Sequence, residues 1–153
     1  MQGNKWLIAG GLLSAAAALL HIAIIFGGAN WYRFFGAGEG MARAAEAGSV
    51  RPVLVTTGIA AILLLWALYA FSGAGLVRPM PLLRTGLVLI AAIYLLRAFA
   101  PVPMLILRPD RVDSFVVWSS LAVLVFGLLH AIGTWTAWPH LTPGGNARAA
   151  GLP

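Results

Sequence analysis

Polar residues interrupt this chain rarely and in groups. They leave four apolar runs, each close to the roughly 20 residues that carry a helix across about 30 Å of hydrocarbon. The first covers residues 6–27, after Lys5. The second covers 53–71, opened by Arg51-Pro52 and closed by Ser72-Gly73. The third covers 82–100, between Pro79-Met80-Pro81 and Pro101-Val102-Pro103, and the fourth covers 115–138 and ends at Pro139. Ala, Leu and Gly dominate these runs with no period-two alternation, so the backbone is satisfied by helices and not by a β-barrel. The pattern predicts an all-α fold: a four-helix transmembrane bundle forming one integral membrane domain over residues 1–140, with a flexible Gly-rich tail over 141–153. Ala15-Ala16-Ala17 would suit a signal-peptide cleavage site, but the apolar stretch runs well past the roughly 7–15 residues of such a peptide's core, which predicts a retained helix.

The connection over 28–52 is the longest and the least regular. Trp31, Tyr32, Phe34 and Phe35 place four aromatic rings in five positions, a composition suited to the lipid headgroup layer. From Glu39 to Ala47 the pattern predicts a short interfacial amphipathic helix. Glu39 and Arg43 would pair at i,i+4, and Arg43 and Glu46 at i,i+3.

Composition narrows the class. The chain is 61% hydrophobic and 9% charged, with ten Lys or Arg, four acids, three His and no Cys, for a net charge of +6. Such hydrophobicity excludes a disordered tail, and the lack of Cys excludes disulfide and zinc-thiolate scaffolds. The basic residues are scattered singly between apolar runs, so no nucleic-acid surface is formed. Membrane lipids are the partner that the composition implies.

The charges also bear on orientation. With both termini inside, the inner side holds Lys5, Arg78, Arg84 and Arg148, while the outer side holds Arg33, Arg43, Arg51, Arg108 and Arg111, with Arg97 near the boundary. Counting Lys and Arg alone disfavours that topology. All four acids (Glu39, Glu46, Asp110 and Asp113) lie in the first and third loops, however, and a Lys precedes the first run. The expectation is a bacterial inner-membrane protein with both termini cytoplasmic.

Helical wheels then identify the faces that pack. Gly10, Ser14, Ala18 and His21 share one stripe of the first helix; Ser119, Gly127, His130, Thr134 and Ala137 share one face of the fourth. Arg97 shares a face of the third with Gly86, Ile90 and Pro101, flanked by Tyr94. At about 1.5 Å per residue, His21 and Arg97 fall at similar depth in the outer part, whereas His130 lies roughly 15 Å away in the inner part. That offset excludes a single haem held by His21 and His130. Asp113 or Ser114 is expected to cap the fourth helix, with Asp110 paired to a neighbouring Arg. No metal site and no nucleotide loop is evident, and the sequence names no cofactor.

An Arg inside an apolar run is costly and marks a functional position or a partner. The leading expectation is a ligand site on the outer side made by His21, Arg97 and Glu39, with Arg33 and Tyr94 in support and Trp31, Tyr32, Phe34 and Phe35 as its roof. Arg97 would hold an anionic headgroup or carboxylate, and His21 and Glu39 would be available for proton transfer. This reading is a small polytopic protein that binds, and in its fuller form transports, an amphipathic or anionic small molecule or lipid. One alternative is a membrane-embedded enzyme on a lipid or isoprenoid-like substrate with a His21/Glu39 acid–base pair. Another is a structural subunit that presents its small-residue stripes to a second copy or to a partner membrane subunit.

Overall fold

The structure, a computed structural model, describes residues 3–141; beyond Leu141 the expected tail lies outside the described residues. In chain order the α-helices are α1 (Lys5–Phe34), α2 (Glu39–Glu46), α3 (Arg51–Gly73), α4 (Leu83–Phe99), α5 (Val102–Leu107) and α6 (Ser114–Ala137). No strand occurs among the described residues. Four helical segments, begun by α1, α3, α4 and α6, are long and apolar enough to cross a bilayer. They coincide with the four apolar runs to within a few residues, apart from the ends of the first and third, which run seven residues further, to Phe34 and Leu107.

Local chemistry sets the boundaries. The Asn4 side chain caps α1 by accepting from the backbone N–H groups of Trp6 and Leu7. Its Nδ2 also donates to the Gly133 carbonyl at 3.1 Å and to Thr136 Oγ1 at 2.8 Å, tying the start of α1 to the end of α6. The regular part of α1 stops with the apolar run, because Gly28 adopts φ 66° and breaks the helix before a last helical stretch to Phe34. Leu82 is left-handed, with φ 51°, so α4 begins one residue later at Leu83. Asp113 caps α6 by accepting from the Phe115 N–H at 3.3 Å, as the spacing predicts.

The long helices alternate in direction. One end of the bundle, here the terminal end, gathers the start of α1, the α3–α4 connection and the end of α6. The other, the loop end, carries α2 and α5. Contact is most extensive between α1 and α3 and between α4 and α6; α1–α6 and α3–α4 join the two pairs. Helices α1 and α4 are therefore diagonal, not adjacent.

Three apolar layers form the core. At the terminal end Leu7, Ala74, Leu87, Ala137 and Leu141 pack together, and at mid-height Ala18, Leu63, Ile90 and Tyr94 pack with Val123 and Phe126. Both layers draw on both pairs. The third layer, at the loop end, consists of Ile24, Tyr32 and Ala42 and draws on α1 and α2 alone. Between Asp113 and Phe126 no residue of α6 with a described side chain is fully buried. The two pairs thus share a core over the terminal half and cease to share one toward the loops.

Glycines permit that shared core. A Cβ on Gly133 would lie 2.7 Å from Leu7 Cγ and 2.9 Å from the Leu7 backbone nitrogen, and one on Gly10 would lie 2.9 Å from the His130 ring. Gly133→Val is expected to lower stability by about 1–3 kcal/mol through overpacking. Gly58 has open space around it, so Gly58→Ala is expected to raise stability by roughly 0.5–1 kcal/mol within α3. Thermal unfolding of the two variants in detergent checks the order; a Gly133→Val protein as stable as the parent would mean that α1 and α6 do not meet here.

Candidate functional site

Polar side chains occupy the middle of the bundle. Ser14 Oγ on α1 and Tyr94 Oη on α4 share a buried hydrogen bond of 2.9 Å across the diagonal. The Tyr94 ring meets Trp66 and Phe126 edge-on, with centroids 4.9 and 5.5 Å away, and lies 5.2 Å from the His130 ring. His130 is fully buried. Its Nδ1 is 2.9 Å from the Phe126 carbonyl, which can only accept, so Nδ1 donates to that oxygen. Neither Nε2 nor Thr134 Oγ1, one turn along α6, has a partner among the described residues.

His21 stands apart from this centre. Gly10, which lies against His130, precedes His21 by eleven positions, about 16 Å along a helix. The two imidazoles therefore do not share a level. His21 is half-buried, and its Nδ1 donates to the Ala17 carbonyl of its own helix at 2.8 Å. Among the described residues no three His, Asp or Glu gather as metal ligands.

At the loop end α2 folds back on α1 and α3. Ala42 is fully buried against Tyr32 and Ile24, while Met41 and Ala45 line the same apolar face. Tyr32 Oη, 2% exposed, accepts from Thr56 Oγ1 of α3 at 3.3 Å. On the polar face Arg33 Nε and Nη2 hold both oxygens of Glu39 at 2.9 and 3.0 Å, and Nη1 holds Glu46 at 2.7 Å. Arg43 Nε adds a third bond to Glu39 at 3.0 Å. The expected Glu39–Arg43 pair is present; the expected Arg43–Glu46 pair is replaced by Arg33–Glu46, because the break at Gly28 turns the end of α1 toward α2. Hydrogen bonds from Arg33, and then from Arg43, hold the Glu39 carboxyl down at about 2 from its ordinary 4.5. Arg33 lowers Glu46 in the same way. A carboxyl held ionised near neutral pH is a poor proton donor and a weak base. Glu39 thus serves as an anchor, which weighs against a His21/Glu39 acid–base pair.

Arg97 takes a different direction. Its Nη1 donates to Ser120 Oγ of α6 at 3.3 Å, and it makes no ion pair among the described residues. With Ala100, Pro101, Met104, Val112 and Val116 it lines a cavity of about 340 Å³ formed by α4, α5 and the start of α6. A larger groove of about 710 Å³ runs between α4 and the terminal half of α6, walled by Val88, Ala92, Leu95, Ala131, Trp135 and Trp138 among others.

Of the six expected site residues, the structure joins Arg33 to Glu39 only. Tyr94 belongs to the buried centre, and Arg97, His21 and Glu39 share no hydrogen bond or ion pair. The aromatic roof is also divided: Trp31 and Phe34 are 42% and 74% exposed, Phe35 meets Trp31 at a tilt and Phe34 edge-on, and Tyr32 faces inward. Ser120 as the Arg97 partner and the groove beside Trp135 were not anticipated. The groove does have a sequence signal, since Ala91-Ala92 and Ala131 leave room beside two large indoles.

Because the Glu39 carboxyl is lower in the folded chain than in the unfolded one, its contribution to docking α2 is complete above about 4.5 and is lost as pH falls through about 2. A carboxyl NMR titration is expected to place the Glu39 midpoint near 2 and to return it toward 4.5 in Arg33→Gln. A midpoint near 4.5 in the parent chain would show that the pairs do not form.

No family model, curated protein or solved structure matches this chain.

Proposed function

We propose that the four long helices form a transmembrane bundle, and that the protein binds an amphipathic anion at the Arg97 cavity from the loop side. The inverted distribution of side chains supports the membrane part. Leu12, Leu65 and Trp118 are 58%, 45% and 71% exposed on the long helices, whereas Ser14, Thr56, His130 and Thr134 are buried. Water would oppose so much exposed apolar surface, and lipid does not. In the orientation we propose, both termini are cytoplasmic in a bacterial inner membrane, and the loop end faces outward.

One observation carries the ligand: Arg97 is an exposed cation at the mouth of an apolar cavity with a single long hydrogen bond from its guanidinium. A guanidinium has five N–H donors in a fork that fits a carboxylate or phosphate. The cavity walls (Ala100, Pro101, Met104, Val112 and Val116) offer no hydrogen-bonding side chain, so they suit an alkyl tail. Arg97 gives the charge and Ser120 steadies it, and the exposure of Arg97 and Met104 leaves access from the loop side. Arg33, already held by two carboxylates, contributes structure and not binding.

The test compares oleate with the neutral oleyl alcohol on purified protein by native mass spectrometry. A charge-assisted bond is worth about 1.5–3 kcal/mol, so oleate is expected to be retained roughly 10- to 100-fold better. Arg97→Gln is expected to reduce the difference several-fold and Arg97→Lys to keep most of it. Equal retention of acid and alcohol by the parent protein would overturn the reading.

A further inference from the structure

The groove between α4 and α6 has its head at the terminal end of the bundle, away from Arg97, and has chemistry of its own. Its walls extend from Val88 to Leu95 on α4 and from Ala131 to Pro139 on the α6 side, which is about 10–12 Å of length at the helical rise. On the α6 side it begins at the terminal end, and on α4 it reaches the middle of the bundle at Leu95, about 18 Å along the helix from Leu83. At its terminal end the Arg84 guanidinium stacks on the Trp138 ring at 4.5 Å and donates to the Trp138 carbonyl at 2.7 Å. Trp138 lines the groove, so a fixed positive charge sits at its head. Lys5 and Arg78 occupy the same end of the bundle, and all four acids lie in the loops at the other.

We propose that this groove holds an acyl chain of an anionic phospholipid from the terminal-side leaflet, with the phosphate beside Arg84 and Trp138. This site is independent of the Arg97 reading. Length argues for a lipid chain over a second copy of the protein. A spanning partner helix would need a seam along the whole of α4 and α6, whereas this groove extends only over Val88–Leu95 of α4 and Ala131–Pro139 on the α6 side. Charge argues for an anionic lipid over a zwitterionic one, because Lys5, Arg78 and Arg84 create a positive field and no described acid at that end offsets it. The indole of Trp138 belongs at this level, where amphipathic rings settle between headgroup and chain.

The experiment uses the full chain incubated with equal amounts of phosphatidylglycerol and phosphatidylcholine carrying identical acyl chains, read by native mass spectrometry. The same mixture is applied to Arg97→Gln, in which only the groove retains its cation. Phosphatidylglycerol is expected to be enriched about tenfold in both. Arg84→Gln, made in the Arg97→Gln chain, is expected to bring the ratio close to one. Ala92→Phe, which fills the groove and leaves every charge in place, is expected to reduce retention of both lipids. Circular dichroism checks that each variant keeps its helices. Equal retention of the two lipids by Arg97→Gln, an Arg84→Gln ratio unchanged from that background, or a dimer that Ala92→Phe disrupts with no loss of lipid would each overturn the proposal. Enrichment lost in Arg97→Gln alone would assign the lipid to the loop-end cavity and overturn the groove.

Discussion

A histidine ring against a glycine holds the two halves of this protein together. His130 on α6 lies where a side chain on Gly10 of α1 would have to be, and the same ring contacts Tyr94, whose hydroxyl reaches back to Ser14 one turn further along α1. In a bilayer the hydrophobic effect does not press helices together, so association depends on close van der Waals approach and on polar groups that find each other. The Gly10–His130–Tyr94–Ser14 layer provides both at one level. Gly133 against Leu7 and the double bond from Asn4 extend the joint to the terminal end. Toward the loops, among the described residues, nothing comparable joins the pairs apart from Phe115 over Gly36. A bundle clamped at one end and divided at the other follows from where the small residues are.

That geometry sorts the cations. Arg33 lies on the α1–α2 side and is consumed by Glu39 and Glu46, which pin α2 over the ends of α1 and α3. Arg97 lies on the α4–α6 side, where neither Glu39 nor Glu46 reaches, and its hydroxyl partner Ser120 leaves the positive charge unneutralised. Two arginines at the same end thus have opposite roles, and the separation of the helix pairs is what keeps the carboxylates of one from quenching the other.

Much of this was legible in the sequence, and the limit has a physical cause. The four runs gave the helices, because run length and capping are local properties. The small-residue stripes gave most of the buried faces: Gly10, Ser14 and Ala18 on α1 and Gly127, His130, Thr134 and Ala137 on α6 are buried, whereas His21 and Ser119, toward the loop end of the same stripes, are only half-buried. Periodicity tells which residues share one face of a helix, but not which helix lies opposite. Placing Arg97 with His21 required α1 and α4 to be neighbours; they are diagonal, and Arg97 turned to α6. Likewise the Arg33–Glu46 pair depends on the left-handed φ of Gly28, which the Gly27-Gly28 pair permits and does not dictate.

Both cavities described above lie on the α4–α6 pair, one at each end, and this asymmetry has a source in the chain. The α1–α3 pair is covered at the loop end by α2, whose Ala42, Met41 and Ala45 fill what would otherwise be a gap. The α4–α6 pair is connected instead by α5, which has no buried residue, and its own surfaces carry Ala91, Ala92 and Ala131 beside Leu95 and Trp135. Small residues next to large ones make a recess unless another element fills it, and in this protein no described element does. A cation then stands at each recess, Arg97 beside one and Arg84 beside the other, on the same pair whose His130 and Tyr94 join it to α1.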